Sequence, residues 1–538
     1  MTVNSLYYGD NLAVLREGIA TESVDLIYLD PPFNSQATYN LLFKSPTGAG
    51  SQAQIEAFED TWHWGLEAQD AFDQVIQSGN TNAADMLRSV RTFLGDNDMM
   101  AYLAMMAVRL LELHRVLKPT GSLYLHCDPT ASHYLKILLD AVFTPLQFRN
   151  EITWKRSTSH GNVGRNYGNL SDEIFFYTKS DKYTWVQQYA DISAEYAATK
   201  FNSRDPDGRR WQSVSLRNPS VRPNLQFDYT ASDGRTYTPH PNGWAVGRER
   251  LEKYDKEKRL HFPAKPDGQL RVKQYLDERP GTRLQNIWDD IPAINSQAQE
   301  RLGYPTQKPV ALLDRILSTS SNPGDVVLDP FCGCGTAVHS AQKLGRPWIG
   351  IDVTHLAISL IERRLKDAFP EIKFEVHGTP KDLDGARDLA MRDKYQFQWW
   401  AVSLVEAQPF AGKKKGADGG IDGLIYFRSD SRTTERAIVS VKGGENVSVP
   451  MIRDLKGVLD RENAPIGVFL TLTPPTRPME TEAASAGFYE LAGRRYPRLQ
   501  IITIEQALHG MKPAIPHVDT GAAFKRAGVE EDPQPSLL

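Results

Sequence analysis

The chain has 538 residues, a net charge of −4 and a hydrophobic content of 41%, enough for packed cores in about three or four domains. No apolar run of about 18 residues predicts a membrane span. Three cysteines argue against a disulfide framework, and residues 1–6 lack the basic and apolar parts of a signal peptide. We therefore expect a cytoplasmic protein. The net charge argues neither for nor against nucleic-acid binding, because a basic cleft can coexist with acidic outer faces.

Residues 1–181 alternate strand and helix patterns, as a doubly wound α/β sheet requires. The apolar run at 24–29 predicts a buried strand. Asp98 is the expected cap of a helix over 99–117, followed by a Pro-Thr-Gly turn and a strand over 123–125. A further helix is expected over 133–143, with its leucines at helical spacing facing the core.

The strand at 24–29 ends in Asp30-Pro31-Pro32-Phe33-Asn34. Asp30 and the carbonyl of Pro31 could each accept one N–H of an exocyclic base amine, which frees the nitrogen lone pair to attack. Proline fixes φ and has no N–H, so the loop is stiff. Phe33 offers a ring on which a flipped-out base could stack. The alternative is an ordinary Pro-Pro turn after a strand.

Between residues 182 and 288 the periodic pattern loosens, and guanidinium groups mix with aromatic rings. Such a mixture can bind phosphates, read guanine edges and stack on bases. The alternative for any single residue is a solvated surface charge. The residues concerned are Arg209, Arg210, Trp211, Arg217, Arg222, Arg235, Tyr237, Trp244, Arg248 and Arg250. The segments 36–51 and 162–167 are further candidates for DNA contact.

A glycine loop follows a short apolar strand near residue 326. The segment Asp329-Pro-Phe-Cys-Gly-Cys-Gly-Thr336 leads into a predicted helix over 336–344, and a second strand over 347–351 ends at Asp352. Glycines let the backbone approach a ligand, helix N-termini offer free N–H groups, and an acid about 20 residues later can hold ribose hydroxyls. A nicotinamide site is the weaker alternative, since Val338 stands where that fingerprint has glycine or alanine.

Several blocks together resemble the amino-group DNA methyltransferases of the beta arrangement, in which the catalytic motif precedes the cofactor motif. The resemblance covers about residues 1–375. Its blocks are Tyr8-Gly9-Asp10-Asn11, Asp30 to Phe33, Gly121 to Asp128, Asp172 to Tyr177, Tyr304 to Pro309 and Asp329 to Thr336. It implies a Rossmann-like methyltransferase sheet with permuted motif order, S-adenosylmethionine as cofactor and double-stranded DNA as partner.

The same resemblance assigns roles to particular residues. The catalytic set is Asp30, Pro31, Pro32 and Phe33. The cofactor set is Asp10, Asn11, Asp329, Phe331, Gly333, Gly335, Thr336 and Asp352. In the family, an Asp-Pro-Pro-aromatic motif usually accompanies adenine N6, and serine in place of the aspartate accompanies cytosine N4. Adenine is favoured, with N4-cytosine as the alternative. No Pro-Cys pair is present, so cytosine C5 chemistry is not expected.

Residues 386–538 repeat none of these blocks. Asp422, followed by Ser440-Val441-Lys442 on the next strand, resembles the restriction-endonuclease fold, particularly its Mrr-like branch. The resemblance implies that Asp422 binds Mg²⁺ and Lys442 stabilises phosphorane charge, with Glu406 as a further carboxylate. Ser440 departs from the acid or glutamine usual there, and a hydroxyl binds metal more weakly. The alternative is a non-cutting DNA-binding domain, with Lys413-Lys414-Lys415 touching phosphate.

The sequence therefore predicts four segments: a methyltransferase catalytic half (1–181), a target-recognition insertion (182–288), a cofactor-binding half (289–378) and a restriction-endonuclease-like α/β domain (386–538). Together they suit a restriction–modification or defence role. The sequence leaves open whether the chain forms a homodimer.

Overall fold

The computed structural model describes residues 4–32, 38–44, 50–59, 62–157, 165, 167–265, 268–295, 298, 300–302, 304, 306–410, 420–429 and 434–516. Among these residues, no helix is both long and apolar enough to cross a bilayer. The strands are β1 (Ser5–Tyr8), β2 (Val24–Leu29), β3 (Thr38–Lys44), β4 (Gly50–Glu59), β5 (Leu117–Cys127), β6 (Phe148–Lys155), β7 (Ser171–Thr178), β8 (Tyr189–Ala190), β9 (Ser203–Arg204), β10 (Arg210–Ser215), β11 (Tyr229–Thr230), β12 (Thr236–Tyr237), β13 (Leu260–His261), β14 (Arg271–Tyr275), β15 (Thr282–Arg283), β16 (Ile287–Trp288), β17 (Val327–Asp329), β18 (Trp348–Asp352), β19 (Glu375–His377), β20 (Gln408–Pro409), β21 (Gly423–Arg428), β22 (Thr434–Lys442), β23 (Ile466–Thr471), β24 (Phe488–Leu491), β25 (Arg494–Pro497) and β26 (Leu499–Thr503).

The α-helices are α1 (Asn11–Gly18), α2 (Leu66–Gln77), α3 (Thr81–Leu94), α4 (Asp98–Val116), α5 (Ser132–Phe143), α6 (Ala194–Lys200), α7 (Arg248–Lys256), α8 (Val310–Ser320), α9 (Thr336–Lys343), α10 (His355–Ala368), α11 (Leu383–Arg392), α12 (Lys394–Leu404), α13 (Val449–Arg461), α14 (Arg477–Ser485) and α15 (Ile504–Leu508). Two short 3₁₀ turns, Pro145–Gln147 and Pro223–Leu225, complete the helical segments described.

The largest sheet has nine strands in the order β16-β6-β7-β5-β2-β17-β18-β1-β19. All neighbours are parallel except β7, which runs antiparallel to both β5 and β6. One apolar cluster packs α1 to α5 on one face, and a second packs α8, α9 and α10 on the other. The predicted doubly wound α/β sheet is confirmed.

The expected helix caps need one correction. Asn97, not Asp98, caps α4: its side chain accepts a hydrogen bond from the Met100 N–H. Asp98 is the first helical residue, and its carboxylate instead lies 3.0 Å from Nδ1 of His63. Adjacent Asn and Asp are both good caps, so the sequence does not decide between them.

Residues 187–285 form a compact unit of their own. It contains a four-stranded antiparallel sheet, β13-β14-β10-β9, the pairs β11-β12 and β8-β15, and a small apolar core around Trp244 and Leu251. The sequence-based boundaries for this insertion were 182 and 288.

The C-terminal part contains a five-stranded mixed sheet in the order β20-β21-β22-β23-β26. Strands β22, β23 and β26 run parallel, and β20 and β21 add antiparallel neighbours at one edge. Helices α11, α12 and α15 cover one face, and α13 and α14 the other. The expected α/β architecture of this segment is confirmed.

Candidate active site

The two motif-bearing loops leave neighbouring strands of the large sheet at the same edge. Asp30 directly follows β2, and Asp329 ends β17, which pairs with β2 so that Ile27 lies opposite Leu328. From β2 the chain goes to β5 on one side, and from β17 it goes to β18 on the other. Ligands of doubly wound sheets bind at such a switch point, outside the carboxyl ends of the strands.

Asp30 has two differently placed carboxylate oxygens. Oδ2 accepts a hydrogen bond from Nζ of Lys308 at 2.5 Å. Oδ1 is buried and has no hydrogen-bond partner among the described residues. Pro31 is buried and Pro32 half-buried, and both line a cavity with Asp30. Phe33 lies outside the described residues, so its stacking role stays a prediction.

The glycine loop has the backbone that its sequence predicts. Gly333 and Gly335 have φ values of 48° and 75°, in the left-handed region that favours glycine. The buried carboxylate of Asp329 accepts the Phe331 N–H at 3.1 Å, and burial raises the pKa of this group well above its usual range. The Thr336 hydroxyl accepts a hydrogen bond from Arg364 at 3.1 Å.

Asp352 ends β18 and ties the glycine loop to the next helix. Its Oδ2 accepts the Gly333 N–H at 3.0 Å, and its Oδ1 accepts both the amide and the hydroxyl of Thr354 at 2.9 Å. Burial raises the pKa of Asp352 to about 6, although these hydrogen bonds oppose the shift. Oδ1 already has two donors, so Oδ2 is the oxygen that could accept a ligand hydroxyl.

The loop after β1 is held by Arg109 of α4, a residue that the sequence did not single out. The guanidinium donates to Oδ2 of Asp10 at 2.7 Å and to Oδ1 of Asn11 at 2.6 Å. Asn11 in turn donates to the Pro330 carbonyl at 2.8 Å, and Asp10 also caps α1. Asn11 therefore ties the loop after β1 to the start of the glycine loop, and Arg109 fixes both Asp10 and Asn11.

A cavity of about 370 Å³ joins the two motifs. The residues that line it are Gly9, Asp10, Asn11, Tyr28, Asp30, Pro31, Pro32, Trp62, Glu67, Met105, Arg109, Tyr304, Thr306, Gln307, Lys308, Leu313, Asp329, Pro330, Phe331, Cys332, Gly333, Cys334, Thr336, Ala337, Ile351, Asp352, Val353 and Thr354. Buried carboxylates, glycine backbone and apolar walls fit a nucleoside cofactor with a hydroxyl-bearing ribose. Gly335 is not among these lining residues, and the absence of a side chain there allows close packing: an added Cβ would lie 2.8 Å from Cγ1 of Ile361.

A buried polar network lies next to the Asp30-Pro31-Pro32 loop, and the sequence did not predict it as a unit. The hydroxyl of Tyr28, two residues before Asp30, is 2.9 Å from Nδ1 of His126, and Nε2 of His126 is 3.1 Å from Asp172. Burial alone would raise the pKa of Asp172, but the hydrogen bond from His126 and nearby positive charges bring it below its usual range. Buried hydrogen-bonded networks of this kind fix side-chain positions.

In the C-terminal sheet, Asp422 lies beside the end of β22. Its Oδ2 accepts the Val441 N–H at 2.6 Å and the Ser440 hydroxyl at 3.3 Å, and its Oδ1 accepts Nε2 of Gln398 at 2.7 Å. Lys442 ends the same strand. Gln398 of α12 is a contact that sequence reasoning missed, because it lies 24 residues before Asp422 and periodicity does not show which helix residue faces that carboxylate.

Glu406 has an environment other than the expected one. Its Oε1 lies 3.0 Å from Nζ of Lys512, and Gln398 occupies the α12 position that contacts Asp422. Among the described residues, no group of three or more His, Cys, Asp and Glu side chains is arranged to hold a metal ion. Lys413, Lys414 and Lys415 lie outside the residues described.

The helix α12 also contacts α10, which packs on the nine-stranded sheet. Oε1 of Gln396 accepts the backbone N–H of His355 at 3.0 Å. His355 begins the helix that follows Asp352, and its ring stacks on Tyr8 with 3.6 Å between centroids. Burial lowers the pKa of His355 to about 3, so the ring is neutral.

Within the unit 187–285, several residues expected to contact DNA make internal bonds. Arg209 pairs with Asp277 and Glu278, Arg210 donates to backbone carbonyls, and Arg235 pairs with Asp233. The rings of Trp211, Tyr237 and Trp244 are buried in this unit. Of the arginines predicted to contact DNA, four are exposed: Arg217, Arg222, Arg248 and Arg250. In the segments 162–167 and 36–51, residues 162–164, 166, 36–37 and 45–49 lie outside the described residues.

A doubly wound sheet with an Asp-Pro-Pro loop and a glycine loop at adjacent strand ends defines a class, the amino-group methyltransferases. The family model described as DNA methylase matches residues 24–363. The chain belongs to this family. A second model, described as restriction endonuclease, matches residues 389–494, so the C-terminal part is a restriction-endonuclease-like domain of the Mrr type.

The chain is also similar to individual known proteins. The type II methyltransferase M.EcaI of Enterobacter cloacae is 29% identical over 363 residues, which cover 67% of this chain and 69% of the relative. The DNA adenine methyltransferase YhdJ of Escherichia coli K12 is 26% identical over 361 residues, covering 67% and 82%. The solved PvuII cytosine-N4-specific DNA methyltransferase is 12% identical and covers 67% of this chain and 86% of its own, with a TM-score of 0.29.

Proposed function

We propose that this chain transfers a methyl group from S-adenosylmethionine to the N6 amine of adenine in double-stranded DNA. The observation that carries the proposal is Oδ1 of Asp30, which is buried and unpartnered among the described residues. Asp30 lines the cavity shared with the glycine loop. A buried acceptor without a donor costs free energy. The exocyclic amine of a flipped-out base would supply that donor.

The chain's own residues act on the amine. Asp30 Oδ1 and the Pro31 carbonyl accept its two N–H groups and leave its lone pair free. When bound, the cofactor would supply an electrophilic methyl group on its sulfonium: the N–C bond would form as the S–CH3 bond breaks, and that electron pair would stay on sulfur as a neutral thioether. After transfer, the amine proton passes to Asp30 Oδ1, and the catalytic contribution is placement and electrostatic preorganisation.

The cofactor would lie along the carboxyl ends of β17, β18 and β1. Asp352 would accept the ribose hydroxyls, and the glycine loop with Phe331 would approach the methionine part. Asp10 and Asn11, held by Arg109, would close the nucleoside side. This arrangement rests on the single cavity that these residues line together.

The direct experiment incubates purified protein with unmethylated DNA and cofactor labelled in the methyl group, then digests the DNA to nucleosides. We expect label in N6-methyladenine. Label in N4-methylcytosine would select the alternative base, and no label in DNA would contradict the proposal. Asp30→Ala should lose transfer by at least about 100-fold while cofactor affinity stays nearly unchanged. An equal loss of both would contradict the role of Asp30.

We propose as a second function that the C-terminal domain cuts DNA with Mg²⁺, in a restriction–modification role. The supporting observation is that Asp422, Gln398, Ser440 and Lys442 come together at one end of β22. Mg²⁺ needs only one or two carboxylates beside waters, so Asp422 with the amide oxygen of a rotated Gln398 could hold it. Cleavage of unmethylated but not premethylated plasmid would support this function. No cleavage of either would favour a DNA-binding domain.

A further inference from the structure

Lys308 and Asp30 form an ion pair between segments 278 residues apart. The lysine side chain is 9% exposed and the aspartate 17%. Lys308 precedes Pro309, the N-cap residue of α8, so the backbone at this point is restricted. Both side chains line the cavity that holds the glycine loop.

The pair makes the two oxygens of Asp30 unequal. The ammonium occupies Oδ2, so Oδ1 is the oxygen left for an incoming N–H. The last torsion of an aspartate side chain is broad and roughly two-fold. Without a fixed partner, the carboxylate plane could rotate, and either oxygen could meet the substrate at a poor angle.

The ammonium also supplies the positive charge next to a group of buried acids. Asp329 lies in the same cavity, and the charge of Asp30 contributes to the raised pKa of Asp329. Lys308 is among the groups whose charge opposes that shift. A buried carboxylate is costly unless it is paired.

We infer that Lys308 is a positioning residue for methyl transfer: it clamps Oδ2 of Asp30 so that Oδ1 points to the target amine. The inference rests on the proposed methyltransferase function and extends it to a residue outside the Asp-Pro-Pro loop. Placement errors of about 1 Å can cost about 100-fold in rate, so the clamp would affect turnover more than binding.

A second lysine–aspartate pair, at the strand that precedes Asp30, provides a matched control. Nζ of Lys118 lies 2.7 Å from Oδ2 of Asp25, which is in β2, five residues before Asp30. Neither residue lines the cavity. Lys118→Met therefore removes a lysine–aspartate pair from β2 without touching the site.

The test compares the full-length wild type, Lys308→Met, Lys308→Arg and Lys118→Met in single-turnover methyl transfer to DNA and in S-adenosylmethionine binding. For Lys308→Met we expect a rate about 100-fold lower, with cofactor Kd changed by less than about threefold. Lys308→Arg keeps the charge but places it differently. We expect it to bind cofactor normally and transfer at least about tenfold more slowly. Lys118→Met should match the wild type.

Three results would overturn the inference. A Lys308→Met rate within about threefold of wild type would show that the clamp is unnecessary. Equal losses of rate and cofactor affinity would show that the pair only builds the pocket. A wild-type rate for Lys308→Arg, which keeps folding and charge, would show that placement is unimportant. If the wild type itself transfers no methyl group, the proposed function fails instead.

Discussion

The glycine loop offers a prediction in which strain and packing can be separated by two substitutions. Gly335 has φ +75°, and a Cβ built there would lie 2.8 Å from Cγ1 and 3.1 Å from Cγ2 of Ile361. Gly345, at the end of the same helix–turn segment, has φ +72°, and nothing lies within 4 Å of its added Cβ. The two positions therefore share the backbone strain and differ in the space available.

The magnitudes follow from these distances. Alanine in the left-handed region costs about 1–2 kcal/mol at either site. Ile361 is fully buried, so it cannot move aside, and overpacking adds about 1–3 kcal/mol at Gly335 alone. Replacing glycine by alanine lowers the conformational entropy of the unfolded chain by the same amount at both sites, so this effect cancels in the comparison. Gly335→Ala should thus be less stable than Gly345→Ala by about 1–3 kcal/mol.

The assay is native-state hydrogen exchange of peptides spanning α9 and β18, because a multi-segment chain need not unfold in two states. A difference of about 1–3 kcal/mol corresponds to opening that is about 5- to 140-fold more frequent. Cofactor affinity should also fall in Gly335→Ala, since the loop belongs to the cavity wall. Equal exchange in the two variants would refute the assigned contact with Ile361.

Three further predictions concern the cavity and the C-terminal site. Asp352 has a folded-state pKa raised to about 6 from 3.8, so it becomes protonated as pH falls through 6. Cofactor affinity should drop about tenfold between pH 7.5 and 5, and Asp352→Asn should remove that pH dependence. Because the pKa is higher in the folded state, the contribution of Asp352 to fold stability is greatest below about pH 4 and is lost as the pH rises through about 6. Arg109→Met, measured by titration calorimetry, should weaken cofactor binding about tenfold because two charge-assisted hydrogen bonds to the first loop are lost; unchanged affinity would contradict it. Lys442→Ala should abolish Mg²⁺-dependent cleavage in a plasmid assay and leave methylation intact, whereas lower methylation would indicate a wider structural effect.

The fold was predictable where the signal was local. The apolar run before Asp30 and the helix after Gly335 needed only periodicity and glycine placement, and the structure has β2 at Val24–Leu29 and α9 at Thr336–Lys343. The strand expected at 123–125 is longer, Leu117–Cys127, because it also pairs with β2 at Leu117 before the regular pairing that starts at Ser122. The turn-like residues Pro119 and Gly121 lie in the irregular stretch between these two points.

The sequence predicted many of the residues that line the cavity, but not the contacts between them. Lys308 was visible only as part of a block, since its partner lies far away in the chain, and Arg109 looked like any charged residue of a long helix. Gln398 was overlooked for Glu406, because carboxylates are the usual metal ligands. Contacts between distant segments depend on the whole packing, which periodicity does not encode.

The helix α12 has one face against each half of the molecule, because residues two apart on a helix point in nearly opposite directions. Gln396 contacts the amide of His355, while Gln398 contacts Asp422. The helix α12 therefore packs against both halves and does not belong to one of them alone. Replacing the part of the chain after Gly378 with another domain would remove the hydrogen bond from the His355 amide to Gln396. The remaining half would then need a new contact for the start of α10.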